Sequence, residues 1–339
     1  MIRQSFDKKD YSDSVTNSKV NFMHSWEWGE VKRPNWSPLR LIIDNYPLTV
    51  FVRSFPLVKL KFGYIPRVIE SRGFSLRHLR ELENYLKERI GLSFVLFEPN
   101  SNDKLVQEWL EKSKWKKAGH TIQPQNTNII SLEEGEEKVF SRMSGNYRKK
   151  IRRAVKHGCE VEVLSYGDDT AVERFYNIME QIYHRTHYVM LGKEYFDKIW
   201  QEFGLIDKVK IIVIRFNGED IGSILYLYDE TTAYELYGGT GEAGRSIMAN
   251  YLLKWEGIRL AIELGKTYYD QWGVAPKING EYDSRHPLVN ISKFKSGFGG
   301  EDKEFLPQYV KVNNPLIYQF YKYSLLFNGL TLKLKKFTI

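Results

Sequence analysis

Residues 246–271 read SIMANYLLKWEGIRLAIELGKTYYDQ. Ile247, Tyr251, Trp255, Ile258 and Ile262 recur every three or four positions, the spacing of one helix face. Gly265 supplies a helix stop, and Thr267 to Gln271 reads as a strand. An earlier stretch has the same grammar. Leu76, Leu79, Leu82, Leu86 and Ile90 predict a helix over 75–90, Gly91 ends it, and the apolar run Ser93 to Phe97 predicts a strand.

The repeat extends outward on both sides. Leu39 to Ile43 and Thr49 to Arg53 flank Asp44-Asn45-Tyr46-Pro47, and Val209 to Phe216 and Ile221 to Tyr228 flank Asn217-Gly218, a strong hairpin signal. Ala233 to Tyr237 predicts one more strand. A further helix and strand follow each copy: Lys104 to Ser113 then Asn128 to Ser131, and Val289 to Ser296 then Glu304 to Val310. Hairpins, helix, strand, helix and strand, occurring twice, predict two similar α/β lobes with mixed sheets. Between the copies the pattern is helical: a basic segment from Ser144 to Lys156, a helix opened by a capping box at Thr170-Ala-Val-Glu173, and another helix from Lys193 to Phe203.

With 339 residues the chain is long enough for two domains, and its 42% hydrophobic and 27% charged content is that of a globular protein. The formal net charge of +8 favours an anionic partner such as RNA, a nucleotide-linked substrate or a membrane surface; a merely basic enzyme surface reads the same way. The single cysteine, Cys159, excludes an internal disulfide and fits a reducing compartment. The first ten residues carry no apolar signal core, and no window has the length of a membrane span. These features predict a cytoplasmic protein, with any membrane contact peripheral and at the inner face.

The basic segment carries Arg148, Lys149, Lys150, Arg152, Arg153 and Lys156 around an apolar stripe of Tyr147, Ile151, Ala154 and Val155. Such a helix binds phosphates of RNA or lipid headgroups. It reads equally as a solvated face answering the acidic run Glu133-Glu134-Gly-Glu136-Glu137. Gly239-Thr-Gly241-Glu-Ala-Gly244 is literally G-x-G-x-x-G, but the strands before it form a hairpin series rather than a β-α-β start, so a dinucleotide site is rejected. A tight turn feeding a long helix accounts for it as well as a phosphate loop does. His184 and His187 lack a third ligand at metal spacing and read as a polar pair at a helix end. Cys159 reads as the start of a buried strand to Leu164, not as a nucleophile. No serine-hydrolase elbow, Walker loop or zinc-knuckle spacing occurs.

The segment with chemical potential is Asn290-Ile-Ser-Lys-Phe294-Lys295-Ser-Gly-Phe298-Gly-Gly300, just after Tyr269-Asp-Gln-Trp-Gly273. A lysine between aromatics and beside glycines can meet a reacting carbonyl with little water around it, where its charge is worth more than in solution.

Four blocks together resemble the Fem family of non-ribosomal peptidyl transferases: Trp26-Glu-Trp28-Gly-Glu-Val-Lys32; Arg148 to Gly158; Tyr237-Gly-Gly-Thr240 with the helix from Trp255 to Gly265; and Tyr269-Asp-Gln-Trp-Gly-Val with Phe294-Lys295-Ser-Gly-Phe-Gly-Gly300. The resemblance implies two tandem GNAT-like lobes: 1–131 with 311–339, and 132–310. It implies the compact form, without a long coiled-coil insertion. It further implies an aminoacyltransferase that uses aminoacyl-tRNA as donor and the stem-peptide side-chain amine of a peptidoglycan precursor as acceptor, with no metal, no cofactor and no DNA partner. By the same resemblance Lys295 stabilises the oxyanion, with Phe294 beside the terminal nucleoside of the tRNA. Lys32, Tyr64, Arg67, Glu70, Arg185 and Tyr237 hold the acceptor, and Arg148, Lys149, Lys150, Arg152 and Arg153 meet the tRNA phosphates. The family's Tyr-x-Pro-Arg-Gly-Pro motif reads Tyr64-Ile-Pro-Arg67-Val-Ile-Glu70 here, without the Gly-Pro pair. Two other readings stand beside this one: a GNAT N-acyltransferase taking an acyl-CoA at Gly239–Gly244, and a non-catalytic RNA-binding module built on the basic helix.

Overall fold

The structure, a computed structural model, describes residues 1–54, 60–68, 75–186 and 191–331. The chain divides into two units, Met1–Gln125 with Phe305–Ile339, and Asn126–Glu304. Each contains one mixed sheet built by the same rule. In the first unit the described strands run in the order Ile2–Gln4, Ser37–Ile43, Tyr46–Ser54, Lys61–Val68, Leu92–Pro99, Tyr309–Val312, Lys116–Lys117. In the second the order is Glu301–Glu304, Asn126–Ser131, Tyr268–Gly273, Thr232–Thr240, Glu219–Tyr228, Val209–Phe216, Glu160–Leu164. Each sheet has one parallel pair, Lys61–Val68 with Leu92–Pro99 and Thr232–Thr240 with Tyr268–Gly273. A parallel pair needs a crossover, and the helices Leu76–Glu88 and Ala249–Glu263 supply it. These are the two helices whose periodicity predicted the repeat.

The hairpins form as the turn residues dictate. Asp44 and Asn45, and likewise Asn217 and Gly218, all take positive φ, as a two-residue turn between twisted strands requires. Gly91 and Gly265 end their helices at φ +73° and +66°.

Five details differ from the sequence reading. Asn126–Ser131, expected to close the first lobe, instead pairs with Tyr268–Gly273 and Glu301–Glu304 in the second sheet. Tyr309–Val312, expected to straddle the end of the second lobe, pairs with Leu92–Pro99 in the first. Each closing strand therefore serves the other copy, which moves the boundaries from 131 and 310 to 125 and 304. Alternation predicts a strand but carries no information about a partner far away in the chain. The helix predicted from Ser246 is two helices, Glu242–Ser246 and Ala249–Glu263, broken at Met248 with φ +65°. Glu160–Leu164 is an edge strand with Val161 and Val163 exposed, not a buried one, although Cys159 before it is buried. Val155, counted in the buried stripe of the basic helix, is 55% exposed; Ile151 and Ala154 form its buried face.

In the second unit the crossover helix approaches Tyr269 so closely that a Cβ on Gly257 would lie 2.6 Å from the Tyr269 hydroxyl. Alanine favours a helix over glycine by about 1 kcal/mol. Overpacking costs about 1–3 kcal/mol. Gly257→Ala is therefore expected to lower stability despite its better propensity, checked by the urea midpoint of the full chain.

Candidate active site

The site in the second unit starts from an irregular strand. Tyr268–Gly273 pairs with Asn126–Ser131 through a register shift between Asp270 and Gly273. Within that bulge Trp272 takes φ +63°, a strained value for a large side chain. The Asp270 carboxylate supports it: Oδ1 accepts the Trp272 N–H at 2.7 Å and also the Thr127 hydroxyl. The carbonyl of Gly273, where the register resumes, accepts from Lys295 Nζ at 2.8 Å. Gln271 anchors the backbone of the lysine helix, Val289–Ser296, by donating to the Lys295 carbonyl at 3.2 Å. Ser292 Oγ ties the same helix to the end of the strand by accepting the Ala275 N–H at 2.7 Å.

Lys295 is 7% exposed. Burial pushes its pKa down to about 7, helped by the charge of Lys254 and opposed by Glu235 and Asp270. Two lysines and two carboxylates thus share one buried region. Glu235 is committed to Lys254, 2.5 Å away, and to the Tyr269 hydroxyl at 2.6 Å. Asp270 is committed to the bulge. Of the three donors of the Lys295 ammonium, the Gly273 carbonyl takes one. Such a group can bind an oxyanion, or change protonation near neutral pH.

Phe294 does not lie against the ammonium. Neighbouring residues on a helix diverge by about 100°, so Phe294 turns into an aromatic cluster with Tyr147, Tyr251 and Phe298, at ring separations of 6.0, 5.2 and 5.2 Å. This cluster joins the lysine helix to the basic helix Gly145–Lys156. A Cβ on Gly297 would sit 2.2 Å from the Tyr147 ring, so the junction requires glycine there. Lys150 donates to the Tyr251 hydroxyl at 2.7 Å and so belongs to the junction, as does Tyr147. Arg152 lies 5.6 Å from the Phe140 ring, and Arg153 donates to His157 Nε2 at 3.1 Å. Arg148 is half-buried, while Lys149 and Lys156 are exposed. The acidic run pairs elsewhere, Glu134 with Arg142 and Glu136 with Arg259.

Arg185, near the end of the helix Ala171–Thr186, donates to the Thr240 carbonyl at 3.1 Å; burial and the nearby Arg245 lower its pKa. Tyr237 meets the Tyr195 hydroxyl at 3.2 Å and stacks edge-on with Phe196 at 5.2 Å. The glycine loop between them is explained by packing. The Gly241 N–H donates to the Ile221 carbonyl at 3.0 Å, and a Cβ would meet Gln181 at Gly241 or the Ile221 carbonyl at Gly244.

The first unit holds Lys32, Tyr64 and Arg67. Lys32 ends the helix Trp26–Lys32 with its ammonium 4.5 Å over the Trp28 ring, and its desolvated setting lowers its pKa to about 7 although its surface is only half-covered. Tyr64 and Arg67 face inward rather than presenting themselves to an acceptor. The Tyr64 hydroxyl donates to Glu98 at 2.5 Å, and Glu98 also accepts the N–H groups of Ile122 and Gln123 at 2.8 and 2.9 Å. Burial raises the pKa of Glu98. Arg67, at φ +35°, donates to the Pro124 carbonyl and lies 4.2 Å over Phe305. Glu70 and His187 lie outside the described residues.

Sequence reading missed Lys254, Glu235, Asp270 and Thr127. One signal was available. Lys254 stands three residues after Tyr251 and four before Ile258, on the apolar stripe of its helix, where a charge must find a buried partner.

Residues 141–280 match the family described as an acetyltransferase (GNAT) domain. The aminoacyltransferase FemA of Staphylococcus aureus is 30% identical over 84 residues, which are 25% of this chain and 19% of FemA. The match thus spans about a fifth of the length of that curated relative. The crystal structure of FemX superposes with a TM-score of 0.81 at 15% identity, covering 94% of this chain and 99% of that one. A tandem GNAT protein from the clavulanic acid biosynthesis pathway superposes with a TM-score of 0.55 at 9% identity, covering 93% and 99%. The class is therefore a tandem GNAT fold with mixed α/β sheets; the repeat predicted the two α/β lobes, and the resemblance implied their GNAT-like form. Within that class the motif resemblance is met by the FemX superposition, which shows the fold, and by the FemA match over a quarter of this chain.

The buried lysine makes a stability prediction. Between pH 7 and 10.5 the unfolded chain binds a proton at Lys295 that the folded chain releases, so this residue makes stability rise with pH across that window and adds its full penalty below it. Lys295→Met removes this contribution. Relative to wild type, the variant is expected to gain most at pH 7, with the difference closing by up to ~1.4 kcal/mol per pH unit toward pH 10. Urea midpoints of both proteins at pH 7 and pH 9 check it.

Proposed function

We propose that the protein is an aminoacyltransferase. It moves an amino acid from aminoacyl-tRNA to the stem-peptide side-chain amine of a peptidoglycan precursor, linked to a nucleotide or a lipid. The observation that carries this reading is the Lys295 ammonium, buried against the Gly273 carbonyl while Glu235 is engaged by Lys254. The acceptor nitrogen attacks the ester carbonyl carbon, a C–N bond forms, and the bond to the ribose oxygen breaks. The proton lost by the amine leaves with that ribose hydroxyl. Charge develops on the carbonyl oxygen, and a fixed cation in a desolvated site stabilises it by about 3 kcal/mol. Protonated Lys295 fills that role, so its contribution is lost as pH rises through about 7.

The same reading gives acceptor contacts to Lys32, Arg185 and Tyr237, and tRNA phosphate contacts to the exposed Lys149, Arg152 and Arg153 with half-buried Arg148. Lys150, Tyr64 and Arg67 serve by holding these surfaces in place, since their polar groups bond within the protein. Purified protein incubated with a mixture of radiolabelled aminoacyl-tRNAs and UDP-MurNAc-pentapeptide, and in parallel with lipid II, is expected to carry label into the muropeptide. Lys295→Met is expected to fold and to lose roughly 10²–10³ in rate. Unchanged turnover in that variant would remove the oxyanion role; no transfer to either acceptor by the wild type would remove the aminoacyl-tRNA reading.

A second reading, N-acyl transfer from an acyl-CoA, is favoured by the GNAT-domain match over 141–280. It predicts acetyl-CoA binding by calorimetry. The commitment of the Gly241 amide to Ile221 weighs against a pyrophosphate in that loop.

A further inference from the structure

We propose that Asp302 is a positioning residue for Lys295, acting through a directed chain of buried hydrogen bonds. The inference rests on the role given to Lys295 above. Asp302 is the register partner of Asn128 on the neighbouring strand, so the two side chains share one face of the sheet. Asn128 Nδ2 donates to Asp302 Oδ1 at 2.6 Å. Asn128 Oδ1 in turn accepts from Gln271 Nε2 at 2.5 Å, and the same nitrogen donates to the Lys295 carbonyl at 3.2 Å. Asn128 and Gln271 are both buried. A Cβ on Gly300 would collide with Asn128 Oδ1, so the glycines after Lys295 make room for this chain.

Asp302 gives the chain its direction. An amide presents either an oxygen or an NH2, whereas an ionised carboxylate only accepts. Burial opposes the charge on Asp302, but donation from Asn128, Lys277 and Tyr282 outweighs it and holds the pKa below its usual value. Asn128 must then turn its NH2 to Asp302 and its oxygen to Gln271. Gln271 must turn its own NH2 to Asn128 and to the Lys295 carbonyl. The reverse polarity would set an oxygen against that carbonyl and release the lysine helix from the strand. The Gln271 amide does not choose this direction for itself: its Oε1 is buried and has no hydrogen-bond partner among the described residues, which is costly. The direction is imposed from the Asp302 end. The other carboxylate oxygen has a separate task. Oδ2 accepts the Tyr282 hydroxyl at 2.7 Å and meets Lys277 Nζ at 2.8 Å, pinning the hairpin of Lys277–Ile278 and Glu281–Tyr282.

The test compares the full chain with Asp302→Ala, Gln271→Met, the double variant and Tyr282→Phe. In NMR spectra of 15N-labelled protein, the Gln271 side-chain NH2 signals are those lost in Gln271→Met. Both protons are expected to exchange slowly with water in the wild type and in Tyr282→Phe, and at least ~10-fold faster in Asp302→Ala. In the transfer assay Asp302→Ala is expected to lower kcat about 10-fold with KM within about twofold, since a small misplacement of a reacting group is costly. The double variant should be no slower than Gln271→Met alone, because both changes break one chain. If the alanine variant does not fold, Asp302→Asn replaces it: in either orientation its NH2 faces a donor, Asn128 or Lys277. Unchanged Gln271 signals without the Asp302 carboxylate overturn the proposal. So do additive losses in the double variant, or a loss in Tyr282→Phe equal to that in Asp302→Ala, which would assign the effect to the hairpin. If the wild type transfers to neither acceptor, the aminoacyl-tRNA reading falls, and the NMR comparison still decides whether Asp302 directs the chain.

Discussion

A primary ammonium buried against one peptide carbonyl is the constraint around which the second unit is organised. An isolated cation costs far more to bury than one hydrogen bond returns, so its surroundings must be arranged in advance. They are. The bulge between Asp270 and Gly273 ends at the residue whose carbonyl accepts from Lys295, and the Asp270 carboxylate holds the strained Trp272 within it. Lys254 takes Glu235, which would otherwise be available to neutralise Lys295. The result is a lysine with its pKa near neutrality and an incomplete set of partners, a combination that structural lysines on surfaces do not have.

Everything that positions this ammonium is packed rather than loose. The lysine helix is held at one side by Gln271 and Ser292 and at the other by the aromatic cluster of Tyr147, Tyr251, Phe294 and Phe298. The cluster also carries the basic helix, so the exposed cations of that helix are placed by the same contacts that orient Lys295. The first unit has its own buried polar centre, in which Glu98 gathers Tyr64 and the backbone of Ile122 and Gln123. That centre occupies the position where the Tyr-x-Pro-Arg motif suggested an acceptor site. The departure from the family pattern after Arg67 coincides with a guanidinium turned inward onto Pro124 and Phe305.

Much of this was legible beforehand. The two crossover helices, their glycine stops and the Asn217-Gly218 hairpin follow from periodicity and local turn chemistry, which act over a few residues and are written in consecutive positions, while the segment around Lys295 stood out as a lysine between aromatics and by resemblance. The stripe on Ala249–Glu263 placed Lys254 on a buried face as clearly as it placed Trp255. What the stripe could not say was that Glu235, in a strand before the helix, would meet it.

The sequence by itself determined the repeated α/β grammar, the kind of element most segments form, and the placing of a lysine among aromatics at Phe294–Phe298. Only the tertiary structure decided that each closing strand joins the other copy's sheet, that Phe294 turns away from Lys295, and that Glu235, Lys254, Asp270 and Lys295 share one buried region. The physical reason is range. Helix period, hairpin turns and caps are set by neighbours in the chain, whereas strand partners and buried charge balance are set by desolvation and contact between residues from about twenty positions apart, as for Glu235 and Lys254, to more than a hundred, as for Thr127 and Asp270.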